Sequence, residues 1–346
     1  MPTTPIKLGD LSVGYIHSLA DAVASHGLDP APLLLQYGLD PLRLGEAGAR
    51  LSIPRYMRLG HAAIQLTGDA ALGLRMGRAS RMTQAGLAGV TAAQAPTVRE
   101  AARTLIRFTP LNQSNYRGQA SLHEDARGAW LRFYSISPYN PYNRFVVDSV
   151  LAGWLQQLTT LCQMPISAER IDVEYAAPTY AEQYQALSSG PVTFGAEHNQ
   201  LRLSLASLAL RNPDHCPSTY KHLLILCEQE LEQRTRTRSL RERITQLLGP
   251  LLNGGREPDL EEVAARLKLP TWTLRRKLAD EGTQFRAILN DTRRDLAMAY
   301  IRDTELAFGE IAYLLGFASA EAFARAFKRW KGQTPGDYRR DSVRAL

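Results

Sequence analysis

Nothing in this chain approaches the roughly 18 uninterrupted apolar residues that a membrane helix needs, so no membrane span is expected. Met1–Asp10 lacks a basic start followed by an apolar stretch. No signal peptide is therefore expected, and a cytoplasmic location is. Cysteine is scarce. Cys162, Cys216 and Cys227 form no Cys-x-x-Cys pair and no metal-ligand spacing with histidine, which reads as reduced thiols, no metal and no cofactor. The common catalytic fingerprints are also missing. There is no phosphate loop, no nucleotide glycine motif, no His-Glu-x-x-His pair and no Gly-x-Ser-x-Gly elbow. Ser121, His123 and Asp148 make a triad on paper only, since nothing in their spacing supports one. The expectation is that the protein is not an enzyme.

What is present is unevenly placed. Of 346 residues, 45% are hydrophobic, enough to build two domains with proper cores. The net charge is +7, and residues 234–346 hold all of it, with 22 basic and 15 acidic side chains. A basic module joined to a neutral one points to a polyanion partner for the basic part.

The front reads as α+β. Helical periodicity runs over Leu11–His26, Pro30–Tyr37, from Ser52 towards Leu66, Asp69–Met76, Gly86–Ala93 and Thr97–Arg107. Asn115–His123 and Trp130–Ile136 alternate around the turn residues Glu124–Gly128, which predicts a β-hairpin. Arg144–Cys162 predicts a long helix and Arg170–Tyr175 a strand. Tyr180–Ser188 predicts a short helix, and Val192–Leu205 one or two further strands. Tyr116, Trp130, Arg132, Tyr134 and Tyr142 either line a pocket or decorate a surface hairpin. The turn-rich run Asn212–Ser218 marks the boundary. We read 1–211 as a sensing or dimerisation domain and 212–239 as a linker helix.

The rear is all-α. Ile311–Leu315, a glycine at 316, a cap at Ser319 and the four-spaced pair Phe323/Phe327 spell two short helices across a tight turn. The stretch from Asp259 to Leu278 repeats this logic about 48 residues earlier, with Ala264 in the place of Ala312. A long helix, Phe285–Arg302, joins the units, with Arg293 and Arg294 opposite Ala297, Ala299 and Tyr300. Two helix-turn-helix units, about 259–280 and 308–331, can put helices into successive major grooves, about 34 Å apart.

At residues 240–340 the chain resembles the AraC/XylS family of bacterial transcription regulators. The matching residues are Leu260–Leu267, Leu274–Leu278 with Glu281–Thr283, Arg293–Ala297, and the run from Glu310 to Arg339. The front resembles, through Gly190–Leu203, the arabinose-binding-type sensor domain of ornithine-utilisation regulators. The resemblance implies base reading by Trp272, Arg275 and Arg276 in the first unit and by Ala320, Glu321 and Arg325 in the second. Arg276 falls on the family's base-contacting arginine, where a bidentate bond to guanine is possible. Glu321 either accepts from cytosine or helps cap its helix. Lys277, Lys328 and Arg329 read as phosphate anchors. The implied partners are double-stranded promoter DNA, RNA polymerase, a small-molecule effector and a second copy in a homodimer. An activator is expected, and the alternative is an effector-independent architectural protein or repressor. Two positions depart from the family. Lys268 stands where glycine is usual, at a cost of about 1 kcal/mol, and Pro270 replaces a serine cap, worth about 1 kcal/mol more.

Overall fold

The computed structural model describes residues 9–46, 48–115, 120–135, 139–236, 239–252 and 257–344. Tyr116 lies outside them. Backbone contacts divide the chain into two compact units, Asp10–Asn115 with Gln119–Gln233, and Arg234–Leu346.

The first unit is α+β. Three short strands, β1 (Gly9–Ser12), β2 (Arg50–Ser52) and β3 (Gln113–Asn115), form one sheet in the order β2-β1-β3. Five more, β4 (Ser121–Asp125), β5 (Gly128–Phe133), β6 (Arg170–Val173), β7 (Val192–Phe194) and β8 (Asn199–Ser204), form a second in the order β4-β5-β8-β6-β7. The predicted hairpin is β4–β5, with His123 opposite Trp130. Its turn is closed by Asp125, which accepts from the backbone N–H groups of Arg127 and Gly128. Alternation decides the faces. Ala129, Leu131, Phe133, Leu201, Leu203, Ile171 and Val173 are buried, while Trp130 faces outward beneath the Arg202 guanidinium, 5.2 Å from the ring centre.

The helix Arg144–Cys162 is buried on most sides. Gly73 and Gly77, four apart on the helix Leu72–Arg78, bring that helix against it. A Cβ on Gly77 would sit 2.4 Å from that of Ala152, so only a bare backbone fits. The same helix carries Asp148, fully buried. Its carboxylate accepts from the hydroxyls of Tyr175, Tyr180 and Tyr184. Asp148 is thus committed away from the paper triad, although Ser121 and His123 do meet at 3.1 Å.

Three readings needed correction. Leu11 and Ser12 belong to β1, and the first helix is Gly14–Ala24. Residues 181–187 wind as a 3₁₀ helix. The helix Pro217–Arg236, expected as a linker, helps build the first unit's interior, because Cys227 is buried with Ala88, Phe108 and Leu111.

The second unit is all helix: Leu240–Leu251, Leu260–Arg266, Thr271–Asp280, Phe285–Asp303, Phe308–Leu314, Ala320–Lys331 and Pro335–Arg344. Its first helix opens on a reciprocal capping box between Ser239 and Glu242. The long helix Phe285–Asp303 packs against the first helix and the last three. Among the described residues, no helix of either unit is long and apolar enough to cross a membrane.

Candidate DNA interface

Each helix-turn-helix unit is a support helix, a tight turn and an exposed helix. In the first, Asp259 caps the support helix by accepting from the Glu262 N–H at 2.7 Å. Val263 and Ala264 are buried against Leu274 and Leu278 of the exposed helix Thr271–Asp280. In the second, Ile311, Ala312 and Leu315 meet Phe323 and Phe327 of the exposed helix Ala320–Lys331. Rings continue that core, Phe317 on Phe323, Phe323 on Phe327 and Phe327 on Tyr338, at 5.5 to 5.9 Å between centres.

The turns are built alike and finished differently. Both reverse on a left-handed residue, Gly316 with φ 70° and Lys268 with φ 55°. After Gly316 come Phe317, Ala318 and the cap Ser319, which accepts from the Ala322 N–H at 3.2 Å. After Lys268 only Leu269 intervenes before Pro270, which caps with no side-chain bond. The first turn is one residue shorter. Leu274 therefore corresponds to Phe323, Leu278 to Phe327, and Arg276 to Arg325.

Beneath the second turn lies Arg293, only 6% exposed. It does not sit on a face opposite Ala297, Ala299 and Tyr300, since all four are buried. Its guanidinium donates to the carbonyls of Leu315 at 2.9 Å and Gly316 at 3.3 Å, and pairs with Glu257 at 3.0 Å. It also lies 5.3 Å from the Phe317 ring centre. A buried cation thus satisfies the carbonyls that the left-handed turn leaves without helical partners. Arg339 does similar work near the last helix, donating to the Leu306 carbonyl at 2.6 Å and the Ile301 carbonyl at 3.3 Å.

On the exposed helices, Trp272, Arg275, Arg276 and Lys277 all face solvent, as do Glu321, Arg325, Lys328 and Arg329, while Ala320 is half-buried. Trp272 is 65% exposed, with the Arg276 guanidinium 5.4 Å from its ring centre. Among the described residues, Arg275, Arg276, Lys277, Arg325, Lys328 and Arg329 form no ion pair within the chain. Five arginines of the surrounding scaffold, Arg241, Arg266, Arg293, Arg294 and Arg340, are each paired with a carboxylate. Asp280 and Glu321 are the exposed acids on this pair of predicted readers, Glu321 in the first turn of its helix. The Ser319 hydroxyl, with Arg325 nearby, holds the Glu321 carboxyl below the usual range, so it stays ionised. An ionised carboxylate in the first turn of a helix also favours that helix.

Sequence reasoning missed the structural weight of Arg293 and Arg339. Both stand in basic runs and read as solvated from spacing alone.

Residues 27–212 match the family model described as the arabinose-binding domain of AraC transcription regulators, and residues 263–341 match a helix-turn-helix domain model. The chain is 30% identical to the ornithine utilization regulator of Pseudomonas aeruginosa, over 94% of this chain and 95% of that one. It is 36% identical to the urease operon transcriptional activator of Escherichia coli over 24% of this chain and 28% of the other. Among solved structures, the transcriptional regulator CdpR from Pseudomonas aeruginosa aligns over 94% of this chain and 98% of its own, with 22% identity and a TM-score of 0.44.

Proposed function

Because the chain belongs to the AraC family of transcription regulators, with an arabinose-binding-type domain in front of its helix-turn-helix units, we propose that it recognises one promoter through both exposed helices and activates transcription there. In this reading Arg276 and Arg325 read bases, each able to meet guanine O6 and N7 with two donors. Trp272, Arg275, Ala320 and Glu321 complete the two reading surfaces. Lys277, Lys328 and Arg329 hold phosphates and set the register. The observation that carries the reading is the cluster of exposed cations without an ion pair on two equivalent helices. Keeping those cations free leaves them ready to displace counterions from DNA.

The first unit holds a small-molecule effector, and RNA polymerase is the further partner of an activator. A second copy of the chain would double the number of reading helices on the promoter. An effector shifts the DNA-bound population only by binding one state better than the other.

The test is fluorescence anisotropy of the full chain on a fragment of the promoter it controls, against a scrambled fragment, across a salt series. The expected result is a preference of about 10³-fold or more for the promoter, with affinity falling steeply as salt rises. Equal affinity for both fragments would contradict sequence-specific regulation.

A further inference from the structure

The first unit contains a cavity of about 90 Å³. Its walls include Phe133, Trp154, Leu105 and Val150, with Tyr15 and Tyr56 among the polar-tipped side chains. None of the 21 described residues lining it is an aspartate, glutamate, lysine, arginine or histidine. The charged group that acts on Tyr15 from nearby is Arg50, and Asp10 already holds it at 2.6 Å. Two carboxamides on the wall, Asn112 at 6% and Gln157 at 7% exposure, have no hydrogen-bond partner for their side chains among the described residues. Buried amides seldom go unbonded, so partners that enter the cavity are called for. A carboxamide offers both a donor and an acceptor. Burial pushes the Tyr15 phenol up to about 12, so it remains a donor at neutral pH.

We propose that this cavity is the effector site, and that it takes an uncharged molecule with a compact apolar body and one or two hydroxyl, carbonyl or amide groups. The inference rests on the reading of the first unit as a sensor and names the chemistry it senses. An ammonium or carboxylate entering here would shed its hydration with no opposite charge among the described lining residues to replace it, whereas an apolar body gains by leaving water. A hydroxyl or carbonyl would satisfy Asn112 and Gln157 in turn. The location also suits a sensor. Ala88 forms part of the cavity wall and part of the cluster around Cys227 on the helix Pro217–Arg236, the segment from which the chain runs on into the second unit.

The experiment titrates the full chain with benzyl alcohol, benzoate and benzylamine, which share a ring and differ in charge, and with L-ornithine. Heat and Trp154 fluorescence report binding, with Trp154→Phe assigning the optical signal. Benzyl alcohol is expected to bind saturably and at least tenfold tighter than either ion or ornithine. Val150→Trp, which fills the space, should weaken it at least tenfold. Should that variant fail to fold, Gln157→Leu serves, since it trades an unbonded amide for an apolar group of similar size. It should weaken benzyl alcohol severalfold and leave toluene binding unchanged or tighter. The proposal is overturned if an ion or ornithine binds as tightly as benzyl alcohol, if no probe binds, or if neither variant changes the affinity. An ornithine-dependent change in promoter affinity that survives both variants would sink this site and its chemistry while leaving effector control intact. Promoter affinity that no compound alters would remove effector control as well.

Discussion

Arg276 and Arg325 occupy equivalent places on two short helices, exposed and, among the described residues, in no ion pair. Replacing either by alanine should cost about 1–3 kcal/mol of promoter affinity and relax the preference at one base position, with little change on scrambled DNA. Lys328→Ala should instead weaken all DNA alike and lower the salt slope by about one. Anisotropy across salt separates the two behaviours. Arg293 acts from inside. Removing its guanidinium strands the Leu315 and Gly316 carbonyls, so Arg293→Met should destabilise the second unit by about 3 kcal/mol and abolish promoter binding without any contact to DNA. Urea denaturation and anisotropy on the same sample read both effects. Asp148 gives a pH signature. Burial pushes its carboxyl above the ordinary range, against the pull of three phenol donors and Arg144. A raised folded value means that stability falls as pH climbs from the ordinary carboxylate value, about 4, through the raised one. The Asp148→Asn variant should flatten that fall in melting curves taken upward from about pH 4. The exposed arginines were legible because helical spacing marks their outward direction. Arg293 was not, because a cation on a helix looks solvated until the turn it supports is placed above it.

The two turns show how far local chemistry carries. Glycine at 316 with a serine cap at 319 announces a turn between helices. Lysine at 268 and proline at 270 announce nothing, and that unit was legible through its support helix, from the Asp259 cap to Leu267, and through its partner's pattern. The structure puts Lys268 at φ 55° and leaves Pro270 without a side-chain cap. Lys268→Gly should therefore stabilise the protein by about 1 kcal/mol, and Pro270→Ser by a similar amount through the restored cap. Thermal melting of each variant checks this, and a lower melting temperature for Lys268→Gly would show that the turn is not strained. Long elements such as Arg144–Cys162 were read to the residue, since many turns of periodicity agree. The strands Arg50–Ser52 and Gln113–Asn115 escaped because three residues carry too little alternation to register. The one-residue difference between the turns escaped for a related reason, as it shows only once Leu274 and Phe323 are seen to fill the same role.

For the molecule as a whole, the charge asymmetry along the chain marked which part meets a polyanion, and composition excluded membrane-spanning helices. The cavity proposed for the effector stayed hidden because its lining comes from segments spread between Leu11 and Gln157, none of which carries a motif. What all of this turns on is that both exposed helices read the same promoter at once. Hydroxyl-radical footprinting of the full chain on that promoter, beside the Arg276→Ala and Arg325→Ala variants, tests it directly. The expected pattern is two protected tracts about 10.5 base pairs apart on one face of the duplex, with each variant losing contrast in a different tract. A single protected tract, or two that both variants leave unchanged, would contradict paired reading by these helices.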